Sequence, residues 1–227
     1  MKNLITTIAL ITLLFNIGNS QSFEWDETLT PGMSQESKKM AADEKGNIFL
    51  VGDYADSKTN KLTNVFVAKY NLDKELIWVK LIGNDKNSKI QSITLDENGS
   101  PIVTGFFTGT LNLDNRGSYV LTSDKEKKSG FVIKLNALGD TEWAQSFLTN
   151  DVNYHIDLMV NENQDITVFG LNNSPGLSGT MNVFFYQLNS MGETLNYRYM
   201  VDGLVVNEMK LNSEFKDISL VIKESPE

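Results

Sequence analysis

Two short signatures recur three times along this chain, always in the same order. The first, DEKGNIFLVG from Asp43 to Gly52, returns as DENGSPIVTG from Asp96 to Gly105 and as NENQDITVFG from Asn161 to Gly170. The second, FVAKYN from Phe66 to Asn71, returns as FVIKLN from Phe131 to Asn136 and, more loosely, as FFYQLN from Phe184 to Asn189. Self-similarity at this period marks a repeat architecture, in which each unit must stack on its neighbours to bury its faces.

The spacings give a register. Gly52 lies 53 residues before Gly105, which lies 65 before Gly170; Trp25, Trp78 and Trp143 are separated by the same two intervals. From each glycine to the Phe of the second signature the distances are 14, 26 and 14 residues, so the extra length of the middle unit sits in one loop.

Within the middle unit the β-branched and aromatic content predicts four strands, at about Ile90 to Leu95, Pro101 to Phe107, Gly130 to Leu135 and Thr141 to Phe147. No sustained helical periodicity competes with them. The segments Asp96 to Gly99 and Asn136 to Asp140 read as hairpin turns, because Asp and Asn bond their own backbone and Gly accepts positive φ. Runs without alternation, such as Ile48 to Val51, suit strands covered on both faces.

Four-stranded antiparallel units with a Trp near the outer strand predict an all-β chain, a β-propeller. The units span approximately 37–81, 90–147 and 155–200, with a partial fourth at 207–223. Phe23, Glu24 and Trp25 stand where the last strand of a unit belongs, so residues 23–28 are expected to complete the fourth blade and remove two sheet edges. The rival expectation is a fragment whose remaining blades lie beyond Glu227.

The N-terminus reads as a secretory signal over residues 1–20: Lys2, an apolar run from Leu4 to Phe15, and the small-residue exit Gly18, Asn19, Ser20. The expected product is a repeat domain over 21–227 that is secreted, periplasmic or held at the cell surface. No later segment is long and apolar enough to predict a membrane span. Losing Lys2 takes the formal net charge from −9 to −10, which repels phosphate backbones and argues against nucleic acid as a partner. The chain has no Cys, so neither a disulfide nor a Cys-linked lipid anchor is expected.

The middle unit resembles the β-propeller repeat proteins of the SBBP type, found among secreted proteins of Bacteroidetes-like bacteria. The segment Gly105, Phe106, Phe107, Thr108, Gly109, Thr110, Leu111, Asn112, Leu113, Asp114 looks like that family's Gly-x-Phe-x-Gly-Thr-x-x-Phe-Asp stretch. Leu121 to Ser123, Phe131 to Asn136, Gly139 and Trp143 complete the likeness. The third unit departs from it, with Gln164 in place of Gly and Asn196 in place of Trp, Tyr197 being a candidate to substitute after a one-residue slip. The resemblance implies export and a scaffold or binding role, and it brings no shared catalytic residues.

Candidate chemistry gives way to register at most positions. The pairs Asp43/Glu44 and Asp96/Glu97 recur at one equivalent turn, as structural Asx turns would, and lack the interleaved acidic spacing of an EF-hand. His155, the sole histidine, falls by count in the slot of Ser37 and Ile90, at a strand entrance. No nucleophile elbow or phosphate-cradling loop occurs, so no catalytic, cofactor-binding or metal-binding residue is nominated and no cofactor is expected. Trp25, Trp78 and Trp143 read as packing between units rather than a sugar platform, and Lys125 to Lys128 as a solvated loop.

Variable loops remain: Ala55 to Leu62, Thr108 to Lys128 and Asn172 to Thr180, with connections at Gly83 to Ser88 and Thr149 to Asn153. They share one face, so the expected function is a non-enzymatic binding or scaffold module that recognises an extracellular protein or glycan there. The alternatives are a carbohydrate-active propeller enzyme or a purely architectural piece of a larger surface protein. None of these patterns encodes an oligomeric state.

Overall fold

The computed structural model describes residues 35–55, 62–83, 88–114, 119–123, 128–148, 153–173, 181–200, 205–212 and 217–223. Every regular element among them is a β-strand. The signal segment, Trp25 and the closing segment 23–28 lie outside the described residues, as do most of the variable loops.

Sheet I contains β1 (Gln35–Ala42), β2 (Ile48–Ala55), β3 (Leu62–Tyr70) and β4 (Leu76–Ile82), paired in that order. Sheet II repeats it with β5 (Ser88–Leu95), β6 (Pro101–Phe107), β9 (Ser129–Leu135) and β10 (Thr141–Leu148). A short hairpin, β7 (Thr110–Asn112) and β8 (Val120–Thr122), rises from its long loop. Sheet III follows with β11 (Asn153–Val160), β12 (Ile166–Asn173), β13 (Met181–Leu188) and β14 (Thr194–Met200). β15 (Val205–Asn212) and β16 (Asp217–Lys223) form one further antiparallel hairpin, over the stretch expected for the partial unit 207–223. All pairings are antiparallel, and the four strands expected for the middle unit match to within two residues.

The two repeated signatures are cross-strand neighbours. Gly52 pairs with Phe66, Gly105 with Phe131 and Gly170 with Phe184, so the loop between them can change length without moving the contact. A Cβ on Gly52 would meet the Glu36 carbonyl at 2.1 Å and the Phe66 ring at 2.7 Å; Gly105 faces Lys89 and Phe131 at the same two distances. Glycine is therefore required by close approach, and the Phe ring lies across the gap it leaves.

The sheets stack face to face. Phe49, Val51, Val65, Val67 and Ile82 of sheet I meet Val103, Phe107, Phe131, Ile133 and Leu135 of sheet II in one buried cluster. On the other side of sheet II, Ile102, Phe106, Val132 and Phe147 meet Ile156, Val168, Phe184, Tyr186 and Leu188 of sheet III. Sheet II is thus covered on both faces, which is why all seven residues of β6 are buried and no alternation marks that strand. The first strands are neighbours across the stack, with β5 beside both β1 and β11.

Two expectations change at the edges of sheet III. The bulge in β5 falls after Ile90, whereas that in β11 falls before His155. Ile156 therefore takes the place opposite Gly170 that Ile90 holds opposite Gly105, and His155 pairs with Leu171. Nor does β14 slip by one residue. Asn196 pairs with Gln187 just as Trp143 pairs with Lys134, and Tyr197 packs edge-on against Tyr186 at 5.7 Å.

Candidate functional site

Six turns among the described residues share one geometry and take up most of the polar residues there that could have suggested chemistry. Asp43 accepts backbone N–H bonds from Lys45 and Asn47 at 2.9 and 2.8 Å, and Asp96 accepts from Asn98 and Ser100 at the same distances. Asn161, Asn136 and Asn189 accept in the same way, and Asn71 accepts from Glu75. The fourth residue of each turn has positive φ: Gly46, Gly99, Gly139 and Gly192, but also Lys74 at 67° and Gln164 at 63°. Asp and Asn interchange here, so the turn needs a side-chain acceptor rather than a charge. Burial raises the Asp43 pKa, but the bonds from Asn47 and Lys45 outweigh it and hold the carboxyl below its usual value.

Neighbouring units lock together through these turns. Trp78 on β4 donates its Nε1–H to the Ala137 carbonyl at 3.0 Å, and Trp143 on β10 donates to the Ser190 carbonyl at 3.1 Å. A Cβ on Gly139 would come within 2.9 Å of the Trp78 indole, and one on Gly192 within 2.5 Å of Trp143. Each indole therefore lies flat on the next unit's turn, and Trp78 and Trp143 pack between units, as the register suggested. Glu97 N–H donates to Gln164 Oε1 at 3.1 Å, joining two more turns.

Three charged contacts are structural in the same sense. Lys134 donates to Asp96 at 2.8 Å and lies 3.5 Å from Glu142. Burial disfavours its charge, yet Asp96 and then Glu142 outweigh that and raise its pKa. Asp53, 1% exposed, meets Lys89 at 3.0 Å and accepts from the Ile90 N–H at 3.2 Å, tying β2 to β5. Ser92 donates to Asp157 between β5 and β11. Among the described residues no group of three His, Cys, Asp or Glu is placed to hold a metal ion. No helix among them is long and apolar enough to cross a membrane.

A groove on the rim between sheets I and II has a different character. Its volume is about 540 Å³, and its walls are β4 from Trp78 to Leu81, the segment Leu113 and Asp114 leaving β7, and the turn residues Leu138 to Asp140. That size falls within the roughly 300–1,000 Å³ of small-molecule sites. Burial lowers the pKa of Lys80, and the nearby Asp140 and Asp114 carboxylates, which act in the opposite sense, do not restore it. One cation and two carboxylates thus face a cleft with a rigid aromatic wall. Sequence reading missed Lys80, Asp114 and Asp140, because register explains Trp78 and Asp140 separately and nothing in the sequence joins β4 to the loop of the next unit.

The long middle loop is only partly a loop. Leu111 and Leu113 are fully buried in the cluster between sheets I and II, Leu121 packs against it, and the Gly83 N–H donates to the Asn112 carbonyl. Its exposed side presents Tyr119 and Val120. The loops 56–61, 84–87, 149–152 and 174–180, and residues 124–127 of the basic run, lie outside the described residues; the side chain of His155 does too. No family model matches this chain, and no curated protein does.

Proposed function

We propose that this chain is a secreted β-propeller module of the SBBP type. It binds an extracellular glycan or protein without transforming it, and its recognition surface is the β7–β8 hairpin with the rim groove beside it. The observation that carries this reading is the groove's inventory: Lys80 as donor, Asp114 and Asp140 as acceptors, and apolar contact from Leu138 and Trp78. A neutral sugar suits it best. Each hydroxyl both accepts and donates, so one ring can bond a cation and a carboxylate together, whereas a charged ligand would oppose one of them. The repeated sheets supply rigidity, and the hairpin is the described element that departs from the repeat.

The test is a panel of neutral and acidic oligosaccharides and surface proteins, read by calorimetry against Lys80→Met and Asp140→Asn. The expected result is binding of a neutral oligosaccharide that weakens at least tenfold in both variants. Lys80→Met should fold at least as well as the parent, because it removes a cation that burial already disfavours. Binding that survives both changes, or conversion of the sugar to product, refutes the proposal.

A further inference from the structure

The tryptophan clamps form a series with one member unassigned. In the two observed cases a Trp of one unit donates to the carbonyl that follows the turn Asn of the next: Trp78 to Ala137, after Asn136, and Trp143 to Ser190, after Asn189. The same turn in sheet I is built on Asn71, whose side chain accepts from the Glu75 N–H at 2.8 Å. Lys74 there holds φ at 67°, the counterpart of Gly139 at 85° and Gly192 at 81°. The carbonyl that corresponds to Ala137 and Ser190 is that of Leu72, a residue 73% exposed. Trp25 precedes Trp78 by 53 residues, the length of one unit.

The face of sheet I turned away from sheet II supports the same register. Among the described residues, Leu50, Phe66, Ala68 and Tyr70 form a cluster drawn from sheet I, each 7% exposed or less and so covered, edged by Tyr54, Val79 and Leu81. They correspond by repeat to Val103, Phe131, Ile133 and Leu135, the face that sheet II turns toward sheet I and its Trp78. Sheet I therefore carries both halves of a receiving surface: an apolar face of the right composition and a turn of the right geometry.

We propose that the occupant is the chain's own N-terminal segment, Phe23 to Thr28, with Trp25 donating its indole N–H to the Leu72 carbonyl. The fit differs from the other two in one respect. Lys74 carries the Cβ that Gly139 and Gly192 lack, so the indole rides on the lysine stem instead of lying flat on the turn. Replacing Lys74 by Gly restores the flat seat. This turns the proposal into a coupling measurement, in which the benefit of Lys74→Gly depends on Trp25. It does not rest on the glycan reading, and its test uses no ligand.

Indole N–H exchange by NMR on the intact protein provides the direct readout, with Trp25→Phe assigning the resonance. The expected spectrum has three indole protons protected at least tenfold over free tryptophan. A Trp25 proton that exchanges at the free rate overturns the proposal. Thermal unfolding of Lys74→Gly, Trp25→Ala and the double variant gives the second readout: the gain in midpoint from Lys74→Gly should shrink by at least half when Trp25 is absent. Equal gains in both backgrounds overturn the proposal even if Trp25→Ala alone unfolds the chain too readily to study by NMR. Protection found only in a dimer fraction by light scattering would also overturn it, because the occupant would then be a second copy's segment.

Discussion

The Asp/Lys pair in sheet II separates what the turn requires from what the ion pair contributes, and the repeat provides its own control. Asp43 and Asp96 make the same two backbone turn bonds, Asp43 adding one from Asn47 Nδ2 at 2.7 Å, but Asp96 also meets Lys134, whereas Lys69, the equivalent of Lys134, lies over the Phe49 ring at 5.1 Å. Both Asp96 and Lys134 are largely buried, with side-chain exposures of 5% and 12%. Asn161 makes the same two backbone bonds while its Nδ2 donates to Asp165, so Asp43→Asn, with the Asn47 amide turned to accept, should cost less than about 1 kcal/mol. Asp96→Asn keeps the turn but leaves Lys134 with Glu142 alone at 3.5 Å. Losing a charge-assisted hydrogen bond of this kind costs about 1.5–3 kcal/mol, less than the full price of an orphaned buried charge because Glu142 remains. In a domain of this size that is roughly 3–12 °C in melting temperature.

The pH dependence carries a sign of its own. Because the folded-state pKa of Lys134 is raised, its stabilising contribution is fully present below the unfolded value of about 10.4 and is lost as pH rises through the folded value above it. The gap between the parent and Asp96→Asn, measured by urea unfolding, should therefore be widest near neutrality and narrow above about pH 10.5. Equal midpoints for Asp43→Asn and Asp96→Asn at pH 7 would refute the reasoning.

Gly192→Ala should destabilise by at least about 2 kcal/mol in thermal unfolding, since its Cβ would meet Trp143 at 2.5 Å and the backbone holds φ at 81°. Pairing it with Trp143→Ala should recover part of that loss. Leu111→Ala should cost about 2–5 kcal/mol by urea unfolding, because the side chain fills the core between sheets I and II. Tyr119→Ala, on the exposed side of the same hairpin, should stay within about 0.5 kcal/mol of the parent. Gln164→Gly should be nearly neutral, because relief of a left-handed backbone at φ 63° is offset by losing the bond from Glu97 N–H.

The hairpin also bears on how recognition by the long loop is tested. Replacing the whole segment from Thr108 to Lys128 by a short loop would remove Leu111 and Leu113 from the core, so lost binding would be indistinguishable from lost packing. Point changes at Tyr119 and Val120 keep those anchors.

The repeat by itself determined the strand boundaries, the antiparallel order within each sheet and the structural role of the acidic turns. It could do so because turn chemistry and strand composition are local: an Asx acceptor, a residue at positive φ and a β-branched run act over about five residues each. Residue count also located the glycine and phenylalanine of each unit, but only the pairing of Gly105 with Phe131 explains why they recur together across loops of unequal length. Tertiary structure alone decided what happens between units. Lys80, Asp114 and Asp140 converge because β4 stacks beside the turn and hairpin of the next sheet, a contact that no local pattern records. The same applies to His155, displaced from its counted slot by one bulge, and to Leu111 and Leu113, which turn an apparent loop into core. Stacking energies belong to pairs of sheets, so they appear only once two faces meet.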